Sequence, residues 1–91
     1  MASHASFRVR DADVSFREID GEIIVLDERT WRYLHLNGSG AVLWARLMEG
    51  GDAESLAAAL ITEYGIDQEL ADRDAAAFLA DLLERELIVE G

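Results

Sequence analysis

The chain has 91 residues, 51% of them hydrophobic, which suits a single domain spanning residues 1–91 around one small core. It contains no Cys, which excludes disulfide staples, thiolate zinc sites and cysteine nucleophiles and makes a reducing, cytoplasmic setting the expectation. With 8 basic against 19 acidic residues the formal net charge is −11, a sign that repels phosphate backbones and favours basic partners.

Met1 to Ser6 has neither a basic start nor an apolar run, so it carries no signal-peptide pattern, and no apolar run is longer than that of Leu56 to Ile61, which is too short to span a membrane. Residues 1–13 are expected either as a disordered start that includes His4 or as a short extra strand around Phe7 to Arg10. Val14 to Ile19 and Glu22 to Asp27 then flank Asp20-Gly21, a pair that accepts the left-handed geometry of a type I′ turn and predicts a two-residue hairpin. That register sets Phe16 opposite Val25, Arg17 opposite Ile24 and Glu18 opposite Ile23. Ile23-Ile24-Val25-Leu26 is apolar on both faces, the pattern of a central strand.

A turn around Glu28-Arg29-Thr30 returns the chain as a third strand, Trp31-Arg32-Tyr33-Leu34-His35-Leu36. Alternation puts Arg32, Leu34 and Leu36 on the helix-facing side and Trp31, Tyr33 and His35 on the other. Trp31 and Tyr33 either pack over the exposed side of the hairpin or contact a partner, and both readings stay open. Three helices follow. The first runs from Ser39 to Glu49 and stops at Gly50-Gly51; the second is capped by Asp52 and ends at Gly65; the third runs from Asp67 to Glu86 before Leu87-Ile88-Val89 closes the chain. The fold class is therefore α+β and winged-helix-like, a three-stranded antiparallel sheet followed by three helices.

Such folds often read DNA with the last helix. Here that helix carries Glu69, Asp72, Asp74, Asp81, Glu84 and Glu86 against only Arg73 and Arg85, which argues against phosphate contacts and leaves a DNA-binding regulator as the third choice. Catalysis fares no better. The only His residues are His4 and His35, no metal-ligand spacing is present, and the Gly-rich pieces lack the Lys of a phosphate loop. The chain reads as a non-enzyme without a cofactor or metal. What stands out is the third strand, because nothing later in the sequence supplies another strand to cover its outer edge.

The Gly21 turn, the Leu36-Asn37 strand end, the small-residue helix entry at Gly40-Ala41, Trp44, the Gly50-Gly51 break, Phe78 with Leu82, and the closing Leu87-Ile88 follow one another in an order that resembles the PqqD-like family, also called RiPP recognition elements. The resemblance covers Val14 to Val89. Among members of that family, a small acidic standalone chain is most similar to the leader-binding proteins of lasso peptide biosynthesis.

The resemblance implies capture of the leader segment of a ribosomally made precursor peptide by strand addition, and delivery to a separate maturation enzyme such as a leader peptidase. In that reading Trp31, Arg32, Tyr33, Leu34, His35 and Leu36 supply the pairing strand. Leu34, Phe78 and Leu82 line an apolar groove, Asp74 and Asp81 meet basic leader residues, and Arg85 pairs with a leader carboxylate. Phe78 and Leu82 can equally be plain core, and Asp74 and Asp81 a solvated helix face. An alternative from another class is a structural or dimerisation subunit that pairs through the same edge with its own copy.

Overall fold

The computed structural model describes residues 6–10 and 12–91, in the order β1 (Phe7–Val9), β2 (Val14–Ile19), β3 (Glu22–Asp27), β4 (Arg32–Leu36), α1 (Ser39–Met48), α2 (Ala53–Tyr64), α3 (Gln68–Glu84) and β5 (Ile88–Glu90). His4 and the rest of residues 1–5 lie outside these residues, whereas the short extra strand expected around Phe7 to Arg10 is present as β1.

Asp20 and Gly21 adopt φ values of 53° and 81°, so the turn between β2 and β3 is of the primed kind that matches strand twist. Its register sets Phe16 opposite Val25, Arg17 opposite Ile24 and Glu18 opposite Ile23, as the turn pair predicts. β4 pairs with the other side of β3, with Leu34 opposite Val25 and Leu36 opposite Ile23. The sheet order is β2-β3-β4, which leaves both β2 and β4 as edges among the described residues.

Which backbone groups those edges expose follows from the hairpin. In a two-residue hairpin the residues flanking the turn, Ile19 and Glu22, form a hydrogen-bonded pair, and bonded and non-bonded pairs then alternate along the ladder. The 2.8 Å bond from the Glu28 N–H to the Asp13 carbonyl continues that phase. Glu22, Ile24 and Leu26 therefore bond to β2, whereas Ile23, Val25 and Asp27 bond to β4. On β4 the N–H and C=O of Tyr33 and His35 consequently point outward; on β2 those of Phe16 and Glu18 do.

The return from β3 to β4 takes four residues, one more than expected. Trp31 sits in the turn at φ 58°, and its N–H bonds the Asp27 carbonyl at 2.7 Å, so it is not the first strand residue that the sequence pattern suggested. The third helix likewise stops at Glu84, since Glu86 is left-handed at φ 59° and the chain turns there into β5.

The helices form where periodicity and caps agree. Asp52 and Ser55 make a reciprocal capping box at α2, Gly65 ends that helix in the left-handed conformation, and Asp67 accepts the Leu70 N–H at 2.8 Å to start α3. Their buried faces meet one face of the sheet in a single cluster. Ile23, Val25 and Leu36 come from the strands, Leu43, Trp44 and Leu47 from α1, Leu56 and Leu60 from α2, and Leu79 and Leu82 from α3.

A second, two-stranded sheet ties the ends together. β1 lies antiparallel to β5 with Phe7 opposite Glu90 and Val9 opposite Ile88, and the Gly91 N–H bonds the Ser6 carbonyl at 2.9 Å. Phe7 also bridges to Gly51. A Cβ at Gly51 would fall 2.7 Å from Ser55 Oγ, inside the capping box, so the backbone approaches there only because no side chain intervenes.

Candidate functional site

A groove of about 390 Å³ runs between β4 and the C-terminal end of α3. Val25, Leu34 and Leu87 make its apolar floor; Arg32 and Tyr33 form the strand wall, and Asp81, Glu84 and Arg85 form the helix wall. The open backbone of Tyr33 and His35 lies on the same strand, so an extended chain paired there would carry alternate side chains toward the Leu34 side and the groove.

One end of the groove is held by an ion cluster. Asp27, at the end of β3, is only 7% exposed and accepts from the Arg29 N–H at 3.0 Å and from Arg10 Nη2 at 3.3 Å. Arg29 reaches both Asp27 and Glu86, each at 3.5 Å, while Arg10 Nη1 donates to the Glu86 carbonyl. Burial by itself would raise the Asp27 carboxyl, but the hydrogen bonds from Arg29 and Arg10 outweigh it and hold the group below the usual carboxylate range.

On the helix wall Arg85 Nε pairs with Asp81 at 3.1 Å, one turn apart, so these two charges satisfy each other. Arg32 and Glu84, on facing walls, make no hydrogen bond or ion pair among the described residues. The groove thus presents a cation and an anion, both without a partner among the described residues, above an apolar floor, an arrangement able to sort the polarity of a bound chain as well as its shape.

The other predicted residues are distributed as follows. Trp31 and Tyr33 are 71% and 69% exposed, and His35 is exposed with its Nε2 bonded to Glu22 on the outer face of the sheet. Leu36 is buried beside the helices. Phe78 packs half-buried against the core and Leu82 is fully buried inside it, and neither lines the groove. Asp74 is exposed on α3 but does not line the groove.

Several groove residues escaped the sequence reading: Glu84, Asp27, Arg29 and Glu86. Glu84 had a signal, since it stands three positions after Asp81 on the same helix face. The Asp27 cluster had none, because Arg10 and Glu86 are far from it in sequence. Among the described residues no group of His, Asp and Glu could hold a metal ion, and no helix is long and apolar enough to cross a membrane.

Open-edged three-stranded sheet, three helices and flanking groove together define an α+β domain of winged-helix type that leaves a strand edge unpaired beside its last helix. The chain belongs to the PqqD family: the profile described as Coenzyme PQQ synthesis protein D (PqqD) matches residues 22–88. Two solved structures are similar to it. One is TbiB1 in complex with the TbiA(beta) leader peptide, at 32% identity and a TM-score of 0.82, covering 89% of this chain and 93% of that one. The other is a lasso peptide synthetase B1 complexed with the leader peptide, at 31% identity and 0.80, covering 91% and 96%. No curated protein matches the chain.

Proposed function

We propose that this protein binds the leader segment of a ribosomally synthesised precursor peptide by strand addition at β4 and presents it to a separate maturation enzyme, the leader peptidase of a lasso peptide system. The observation that carries the reading is the edge of β4, unpaired among the described residues, beside a groove of mixed polarity. Two similar structures, each about a third identical over nearly the whole chain, are of complexes with leader peptides.

In this reading the leader's backbone bonds to Tyr33 and His35, and its alternate side chains enter the groove above Leu34. Trp31 flanks the entry. Leu36, Phe78 and Leu82 hold the strand and helix at their spacing. Asp74, Asp81 and Arg85 offer charge along α3, with a basic leader residue displacing Arg85 from Asp81 or an acidic one drawing it away. The protein supplies recognition, and bond making and breaking belong to its partner.

Calorimetric or fluorescence-polarisation titration with leader peptides of candidate precursors, including one encoded beside this gene, tests the proposal. Saturable one-to-one binding that is lost when the leader's apolar anchors become Ala is expected. A folded protein that binds none of them, and forms a constitutive dimer by light scattering, would overturn it in favour of self-pairing.

A further inference from the structure

The opposite long side of the sheet is open as well. Among the described residues β2 pairs only with β3, and by the ladder's phase Phe16 and Glu18 turn their backbone groups outward. Their side chains lie on the helix side of the sheet, where a second groove of about 590 Å³ separates β2 from α1. Phe16 and Ile23 on the sheet and Val42, Trp44 and Met48 on the helix give it apolar walls.

Three details set this groove apart from ordinary surface. Phe16 and Met48 remain 43% and 44% exposed although each borders the core. Trp44 is 1% exposed, stands edge-on to Phe16 at 5.5 Å, and its Nε1–H meets no acceptor among the described residues, so a buried donor goes unanswered there at the groove wall. The charged residues that line the groove are both acidic, Glu18 and Glu49. Glu49 is paired with Arg46 at 2.6 Å, whereas Glu18 has no partner among the described residues. The β4 groove, by contrast, is lined by three Arg residues.

We propose that the β2 edge and the α1 groove form a second docking site, for an extended segment of a partner protein with apolar residues at alternate positions and Arg or Lys beside them. The unpaired backbone of Phe16 and Glu18 requires an extended chain, the walls require apolar side chains on its inward face, and Glu18 selects for basic flanks. A second copy of this chain is a poor occupant, because β2 against β2 would bring Glu18 residues and two net charges of −11 together. With a leader on β4, the sheet would then be extended from both edges at once. The proposal concerns a different edge from the leader reading and stands or falls separately from it.

The test is a titration of ¹⁵N-labelled protein with a capped, alternating Val/Thr/Phe heptapeptide ending in Arg on both sides, and with a twin ending in Asp. The Arg-ended peptide should shift the amides of Phe16 and Glu18 and the indole N–H of Trp44, and should bind on the order of tenfold more tightly than its twin, the difference shrinking with salt. Glu18→Lys should reverse the preference, and Met48→Glu, on the exposed helix surface, should abolish binding without changing the remaining amide spectrum. Absence of these shifts up to millimolar peptide, shifts confined to Tyr33 and His35, or equal affinity for the two peptides would overturn the proposal. Concentration-dependent broadening of the Phe16 and Glu18 amides without peptide would overturn it too, by showing that the edge pairs with its own copy.

Discussion

Replacing His35 by Pro isolates the edge backbone from everything else in the groove. His35 lies opposite Ile24, whose backbone bonds go to β2, so the His35 N–H is not part of the β3–β4 ladder and points to solvent. Proline is tolerated at an edge position of that kind, because it removes only a donor that the folded domain does not use internally. Losing it deprives a bound leader of one N–H···O bond, worth a net 0.5–1.5 kcal/mol, so affinity should fall about 2- to 13-fold. The side chain must be subtracted, since His35 also bonds Glu22 on the outer face. His35→Ala supplies that reference, and thermal melts should place the two variants within a few degrees of each other. Leu34→Pro is the opposite control: Leu34 belongs to a bonded pair with Val25, so this change should unfold β4. If a folded His35→Pro protein bound leader as tightly as His35→Ala, strand addition at this edge would be refuted, whatever the groove contributes.

Asp81→Arg removes the partner of Arg85 and reverses a charge on the groove wall, and should weaken a basic leader about 3- to 10-fold at low salt and less at high salt, by polarisation titration. Asp74→Arg, away from the groove lining, should have the smaller effect of the two. Leu82→Ala empties a fully buried site and should cost about 2–5 kcal/mol in urea unfolding, lowering leader binding only through loss of folded protein. Asp27 has a folded carboxyl lowered by Arg29 and Arg10, so its contribution to stability is complete above the unfolded carboxylate value of about 3.9 and is lost as pH falls through the lower folded value. Asp27→Asn should therefore be less stable than the parent at pH 6, with the gap closing below about pH 4; a gap independent of pH would contradict that assignment.

How far the sequence discloses this molecule depends on the distance over which each feature is set. The Asp20-Gly21 hairpin is legible because turn chemistry and strand alternation act over a few residues and agree on one register. The capped helices are legible for the same reason. Trp31 misleads, because Glu28-Arg29-Thr30 sets no turn length and a large aromatic residue reads as strand until its left-handed backbone is seen. The Phe7–Val9 strand is too short to show a period, and its partner lies at the other end of the chain. The charge pattern of the groove needed the fold: the sequence reading gave Asp81 and Arg85 each a leader partner, and only the assembled walls show that they neutralise each other while Arg32 and Glu84 have no partner among the described residues.

The pairing of β1 with β5 also determines how the domain yields to force. Phe7 faces Glu90 in an antiparallel pair, so both chain ends leave from the same end of the ribbon, and tension applied through them peels its hydrogen bonds one at a time without shearing them together. The next residue in line is Arg10, whose N–H holds the Leu87 carbonyl and whose guanidinium holds Asp27 and the Glu86 carbonyl at the end of the β4 groove. A pull on the termini, as between tethered partners, would therefore reach the end of that groove before it reaches the core.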